Sequence, residues 1–293
     1  VNTTLQWWHI GGLLMGIVQA AYLLLNQHFR IEPRLLMIWR GFGTALLLAP
    51  LALYLSPPAV PLFYVLSILT GLCIGIFDRL LFQASAQYGA GQVSRLLALS
   101  IPLAFVFWLA LHPAHLQTLL ARPYIALAPL AMLGLLGSAL ALRHDAVSWQ
   151  VTRALLPVYL LGAMIDVLNK TATQQASGLA AFVTYGTITA LVSGLLNLLW
   201  PNRQAPALHW KQLVAPQVRI GGFLAVLTVS TYLLIKTASL SQAPNPAFIS
   251  ALNLTAPVWV LLWNRLQRVQ DSGDLRAGLA CVISAVLLIL STL

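Results

Sequence analysis

Apolar residues run along the chain in long blocks separated by short clusters of Pro, Gly and charge. A helix of about 20 apolar residues crosses the hydrocarbon layer of a bilayer, so each block reads as a transmembrane span. Ten such spans are predicted, near residues 8–27, 35–55, 61–84, 91–111, 123–142, 151–174, 180–200, 219–240, 246–266 and 276–293. The links are short and carry turn residues, as in Ser56-Pro57-Pro58, Gly89-Ala90-Gly91 and Ala243-Pro244-Asn245-Pro246. They leave no room for a soluble domain, and the chemistry is expected inside the membrane. No basic run precedes the first span and no small-residue cleavage pattern follows it, so it is expected to remain as a helix. Barrel strands would alternate apolar and polar positions over about ten residues, which these blocks do not.

Composition agrees with this reading. The chain is 59% hydrophobic and 8% charged, where a soluble chain carries about a quarter charged residues. A formal charge of +10 would suggest nucleic acid in a soluble protein, but these Lys and Arg residues are dispersed at span ends. They read as topology signals and headgroup anchors, and no nucleic-acid partner is expected. Most tryptophans, such as Trp7, Trp8, Trp149, Trp200 and Trp210, sit at span ends like interfacial anchors. Cys73 and Cys281 show neither ligand spacing nor a disulfide framework, and no His cluster has zinc spacing. No cofactor or metal is expected.

Weak internal repeats divide the chain. Leu80-Leu81-Phe82-Gln83-Ala84-Ser85-Ala86 and the later Ser100-Ile101-Pro102-Leu103 are echoed by Leu233-Leu234-Ile235-Lys236-Thr237-Ala238-Ser239 and Thr255-Ala256-Pro257-Val258. Gly41, Thr44, Ala45 and Leu46 of span 2 match Gly186, Thr189, Ala190 and Leu191 of span 7. The boundaries are placed at 1–145 and 146–293, five spans each. An odd number per half makes the second half enter the membrane from the opposite side. The expected fold is therefore an all-α polytopic membrane protein of two inverted five-helix repeats around a central cavity, an architecture common among secondary transporters.

Trp39-Arg40-Gly41-Phe42-Gly43-Thr44-Ala45 in span 2, the Ala-rich exits of spans 3 and 8, and Pro102 and Pro257 carry a resemblance over nearly the whole chain. The sequence resembles the drug/metabolite transporter superfamily, in particular ten-helix members made of two EamA-type halves. In place of the Gly-Glu-Arg run common in that family after spans 4 and 9, this chain has Leu111-His112-Pro113 and Arg265-Leu266-Gln267. The resemblance implies transport of metabolites, amino acids, drugs or related solutes from a central cavity, with both termini in the cytoplasm. Loop charge implies the reverse. The links 1–2, 3–4, 5–6, 7–8 and 9–10 hold eleven Lys and Arg, Arg30, Arg34 and Arg95 among them, against Arg122, Lys170 and Lys236 on the other side. The positive-inside rule then puts both termini outside a bacterial-type inner membrane, and this assignment is the one adopted.

A charge at the centre of a span costs about 2.5 to 3.5 kcal/mol on insertion scales, so each one needs a partner, water or a function. The candidates are Arg40, Asp78 with its neighbour Arg79, Asp166, Lys170 and Lys236. Asp166 and Lys170 stand four apart on one helical face with Asn169 beside them, and are expected to pair along a cavity-facing stripe. Asp166 and, secondarily, Asp78 are the candidates for proton coupling, since a carboxylate in low dielectric has a raised pKa. Asp78 has Arg40 as a possible structural partner. Gln19, Tyr22 and Asn26 share a face of span 1 with Gly12 and Gly16, where small residues permit close approach. Tyr185, Tyr232 and Asn253, with the deep Trp39, complete the expected substrate-binding set. Thr184, Thr187, Thr228, Thr231, Ser250 and Pro257 accompany them.

These features lead to an expected secondary carrier for a small polar or amphipathic metabolite, working by alternating access, with efflux favoured over uptake and protons as the candidate coupling ion. A homodimer is compatible with the sequence. The competing readings are a membrane sensor or non-transporting subunit, and an intramembrane enzyme. The enzyme reading lacks a histidine within the spans, leaving Asp78 and Asp166 as its only acid pair. No nucleotide-binding motif is present, so gradients must drive the cycle.

Overall fold

Pro and Asn start helices at four of the predicted link ends. Pro33, Pro61, Pro216 and Pro246 each occupy the first turn of a helix, where proline's missing N–H and fixed φ cost nothing. Asn245 adds a side-chain cap, its Oδ1 accepting the Ala247 N–H at 2.9 Å. The computed structural model describes residues 5–88, 97–120, 127–141, 149–199, 210–267 and 275–292, and all regular structure among them is helical.

The helices are α1 (Trp7–Phe29), α2 (Pro33–Tyr54), α3 (Pro61–Tyr88), α4 (Ser100–Leu111), α5 (Leu127–Ala141), α6 (Leu156–Gln175), α7 (Leu179–Leu199), α8 (Pro216–Gln242), α9 (Pro246–Leu266) and α10 (Leu275–Thr292). α9 is broken into the arms Pro246–Asn253 and Ala256–Leu266. Short helices over Pro113–Leu120, Trp149–Ala154 and Trp210–Leu213 lie between them. Gly178, at φ +95°, makes the tight turn from α6 into α7, a left-handed position that suits a residue without Cβ.

Six segments are both long and apolar enough to cross a membrane: α1, α2, the Pro61–Leu81 part of α3, α7, α8 and α9. Apolar helices over Leu97–Leu111, Leu127–Ser138 and Arg276–Thr292 are shorter. α6 has the length, but Asp166, Asn169, Lys170, Gln174 and Gln175 dilute its apolar character. Outward faces carry bare leucines, such as Leu46 at 77% and Leu53 at 75% exposure, as a lipid-facing surface requires. The chain is thus a multi-pass helical membrane protein.

Helix contacts run between distant parts of the sequence. α2 packs on α7, α1 on α8, α3 on both α6 and α7, α2 on α8, α4 on α6, α1 on α9, and α5 on α10. Where α2 crosses α7, a Cβ on Gly41 would stand 2.5 Å from Gly194 Cα, so the two backbones touch there and only glycine fits. Gly71 and Gly75 of α3 receive Val192 and Leu196 of α7 in the same manner.

One sequence expectation is corrected here. A span interior free of histidine meets His9, which is 1% exposed in the first turn of α1. It accepts the Gln6 N–H through Nδ1 at 3.1 Å and sits 3.1 Å from Thr292 Oγ1 of α10 through Nε2. Local bonds and one interhelical hydroxyl partner this ring and tie the start of α1 to the end of α10.

Candidate central cavity

Between the helices lies a cavity of about 730 Å³, lined from α1, α2, α3, α4, α6, α7, α8 and α9. Its walls are largely apolar, with Val18, Ile74, Phe77, Leu81 and Ile101 among them, and its four charged lining residues form two ion pairs.

The first pair links neighbouring helices. Arg40 of α2 places its Nη2 on the Asp78 carboxylate of α3. The second draws together three helices of the C-terminal half. Asp166 of α6 takes Lys236 Nζ of α8 on Oδ1 at 2.6 Å, and accepts Ser250 Oγ–H of α9 on Oδ2 at 2.5 Å. Both carboxylate oxygens are thereby occupied. One turn below along α8, Tyr232 receives an N–H from Asn253 Nδ2 of α9 at 3.3 Å. One turn above along α6, Lys170 donates to the Leu240 carbonyl at 2.6 Å and to Ser241 at 3.3 Å, at the end of α8. These are helix-terminal carbonyls without intrahelical partners, and an ammonium satisfies them and the helix dipole together.

That arrangement corrects the expected Asp166–Lys170 pair. Helical spacing puts the two on one face, but α8 brings Lys236 to the carboxylate and the end of α8 draws Lys170 away from the cavity. Trp39 is likewise not a lining residue. Its indole N–H donates to the Leu213 carbonyl at 3.0 Å, and its ring covers Gly222 of α8. Gln19, Tyr22, Arg40, Asp78, Asp166, Asn169, Tyr185, Tyr232, Lys236 and Asn253 all line the cavity. Asn26 belongs to α1, and its side chain lies outside the described residues.

Two α-helical starts also open on the cavity. α4 starts at Ser100 behind a 3-10 turn over Leu97–Leu99, and the second arm of α9 starts at Ala256 after Leu254 and Thr255. Pro257 has no N–H to give to Asn253, four positions earlier, which is why regular helix fails between the two arms of α9, and Pro102 sits in the first turn of α4, where a missing N–H costs nothing. Neither start has a side-chain cap, and Ser100, Ile101, Ala256 and Pro257 line the cavity. The sequence signal at both places was a proline, Pro102 and Pro257. The link from Ser250 to Asp166 had no such signal, because nothing in spacing aligns residues 84 positions apart.

No protein-family model matches the chain, and no curated protein sequence matches it either. The functional reading therefore rests on the residues and their arrangement.

Proposed function

We propose that the protein is a secondary transporter that carries a small polar or amphipathic solute across an inner membrane by alternating access about the central cavity. The reading takes the chain as ten spans in two inverted halves, 1–145 and 146–293, of the drug/metabolite transporter type. The observation that carries it is the exchange symmetry of the helix contacts around a charged cavity. Swapping the halves turns α1 on α8 into α6 on α3, α2 on α8 into α7 on α3, and α1 on α9 into α6 on α4. It leaves α2 on α7, α5 on α10 and α4 on α9 unchanged. The crossing of α2 and α7 repeats this in detail: Gly41 meets Gly194, and its counterpart Gly186 meets Leu48. An interface that matches itself under exchange is the signature of a two-fold relation.

Such a frame supports two conformations of nearly equal packing, one for each half in each role, which is what alternating access needs. The interruption of α9 and the start of α4, both facing the cavity, supply backbone polar groups that are tolerated where they line a polar site. Four charges around that site, Asp78 and Asp166 buried and Arg40 and Lys236 largely so, cost more than a purely structural core would spend on insertion. With no soluble domain and no nucleotide motif, the driving force comes from solute or ion gradients, with Asp166 and Asp78 as the carboxylates available to protons. Loop charge supports both termini outside.

The test is counterflow in proteoliposomes. Vesicles holding the purified protein and preloaded with a metabolite extract are diluted into an isotopically labelled extract, and the trapped label is read by mass spectrometry. Label enriched in at least one solute over protein-free vesicles is the expected result. No enrichment in any solute, with the protein shown to be inserted, overturns the carrier reading.

A further inference from the structure

Hydrogen-bonding capacity in the cavity is left over on both sides, but differently charged: the unpartnered acceptors Asn169 Oδ1 and Asn253 Oδ1 are neutral amide oxygens, while the unpartnered donors sit on cations. Asp166 has both oxygens engaged, by Lys236 and Ser250. The hydroxyls lining the walls spend their protons on their own helices: Ser100 on Leu97, Thr189 on Tyr185, Ser193 on Ala190 and Thr228 on Leu224. Arg40 is different. Its guanidinium is a planar fork of N–H donors, of which Nη2 meets Asp78, and no other acceptor for it is found among the described residues. Its side chain keeps 16% of its surface open. Lys236 has three ammonium protons to place, and among the described residues its one acceptor is Asp166.

The charged groups with spare donors are therefore the two cations, while Asp166 has both oxygens engaged and Asp78 is held by Arg40 through Oδ2. Arginine can hold one carboxylate with one arm of its fork and a second oxyanion with the other. The uncapped starts of α4 and of the second arm of α9 open on the same cavity and add the positive ends of two helix dipoles. An incoming ammonium would meet the neutral amide oxygens of Asn169 and Asn253 and an Asp78 already neutralised by Arg40, and taking Asp166 instead would strand the Lys236 charge beside it, an arrangement that costs heavily.

We infer that the cavity takes an amphipathic oxyanion, a carboxylate- or sulfonate-bearing solute with an apolar body, its acidic head on the free donors of Arg40 and Lys236. The inference rests on the carrier reading for its biological meaning, but the binding chemistry stands by itself. The apolar body is accommodated by the Val18, Ile74, Phe77 and Leu81 walls.

The experiment compares hexanesulfonate, hexanamide and hexylamine, which share a six-carbon body and differ in the head. Hexanesulfonate stays ionised and does not cross lipid as a neutral acid. Binding to the purified full-length protein is measured by calorimetry, and exchange by counterflow in proteoliposomes. Hexanesulfonate is expected to bind, with hexanamide and hexylamine weaker by at least tenfold. Removing Arg40 alone would strand Asp78, so the informative variant is Arg40→Gln with Asp78→Asn, which deletes both charges together. It should weaken hexanesulfonate binding at least tenfold while the thermal unfolding midpoint stays close to that of the parent.

Equal or tighter binding of the amine or amide, hexanesulfonate binding indifferent to the double substitution, or no hexanesulfonate binding at all overturns the inference. If the sulfonate binds through Arg40 but nothing is exchanged across the bilayer, the oxyanion site stands and the carrier reading falls. If only the amine is exchanged, the carrier reading stands and the oxyanion site falls.

Discussion

In the N-terminal half the cavity's ion pair joins sequence neighbours, Arg40 on α2 to Asp78 on α3, and the guanidinium keeps donors to spare. In the C-terminal half Asp166 on α6 gathers Lys236 from α8 and Ser250 from α9, so one carboxylate binds three helices and has no free oxygen. Several helix contacts, such as α1 on α8 and α6 on α3, exchange when the halves are swapped, but α8 and α9 pack on α6 around the Asp166 knot with no comparable packing of α3 and α4 on α1 among the described residues. On the two-repeat reading of the sequence, small residues and prolines fall at equivalent positions, whereas the charges fall at inequivalent ones. The difference divides the work of the two carboxylates: Asp166 locks helices of the C-terminal half together, whereas Asp78 holds a guanidinium whose remaining donors, with the spare protons of Lys236, are the ones open to a ligand.

That contrast breaks most visibly at Asp166. Replacing it by Ala leaves the Lys236 ammonium buried without a counter-charge and the Ser250 hydroxyl without its acceptor. A loss of about 3 to 5 kcal/mol is expected, read as a lowered thermal midpoint in detergent. Adding Lys236→Met, which removes the stranded charge, should return most of it. If Asp166→Ala alone leaves the midpoint unchanged, the knot does not hold the C-terminal half together.

Asp78→Ala should cost less, about 2 kcal/mol, because the Arg40 guanidinium it strands faces the cavity and can be hydrated there. Its effect on oxyanion binding should run the other way. Freeing Arg40 from its internal carboxylate ought to tighten hexanesulfonate binding, and a weakening of several-fold would contradict the division of labour between the two carboxylates.

How far the sequence could have led to this arrangement differs between fold and cavity. Blocks of apolar residues bounded by Pro and Gly made the helical membrane class legible, since burial in lipid demands both length and apolarity of a single segment. The interruption of α9 has a local cause too, the N–H that Pro257 lacks. Partner choice was legible for Asp78, whose candidate partner Arg40 is the one it meets, but not for Asp166. Periodicity places Asp166 and Lys170 on one face of α6, but it says nothing of what α8 and α9 bring to that face. Lys236 reached the carboxylate, Lys170 was taken by the carbonyls that end α8, and Trp39, deep in its span, turned to the Leu213 carbonyl. Each of these outcomes depends on tertiary neighbours supplied by segments more than 60 positions away.

The finest test of the contrast converts one knot into a likeness of the other. Ser250→Ala removes the hydroxyl from Asp166 Oδ2 and leaves Asp166 paired to a cation alone, as Asp78 is. A hydrogen bond to a charged group contributes about 1.5 kcal/mol or slightly more, so the midpoint should fall modestly. In the Asp166→Ala background the same substitution should have almost no effect, because the two groups act as one unit and their energies do not add. Full additivity would mean that Ser250 stabilises the first arm of α9 by packing rather than through the carboxylate. The freed Oδ2 also gives the C-terminal half the spare anionic acceptor it otherwise lacks. Hexylamine binding should therefore rise in Ser250→Ala relative to the parent while hexanesulfonate binding stays within a factor of about two, a range of roughly 0.4 kcal/mol.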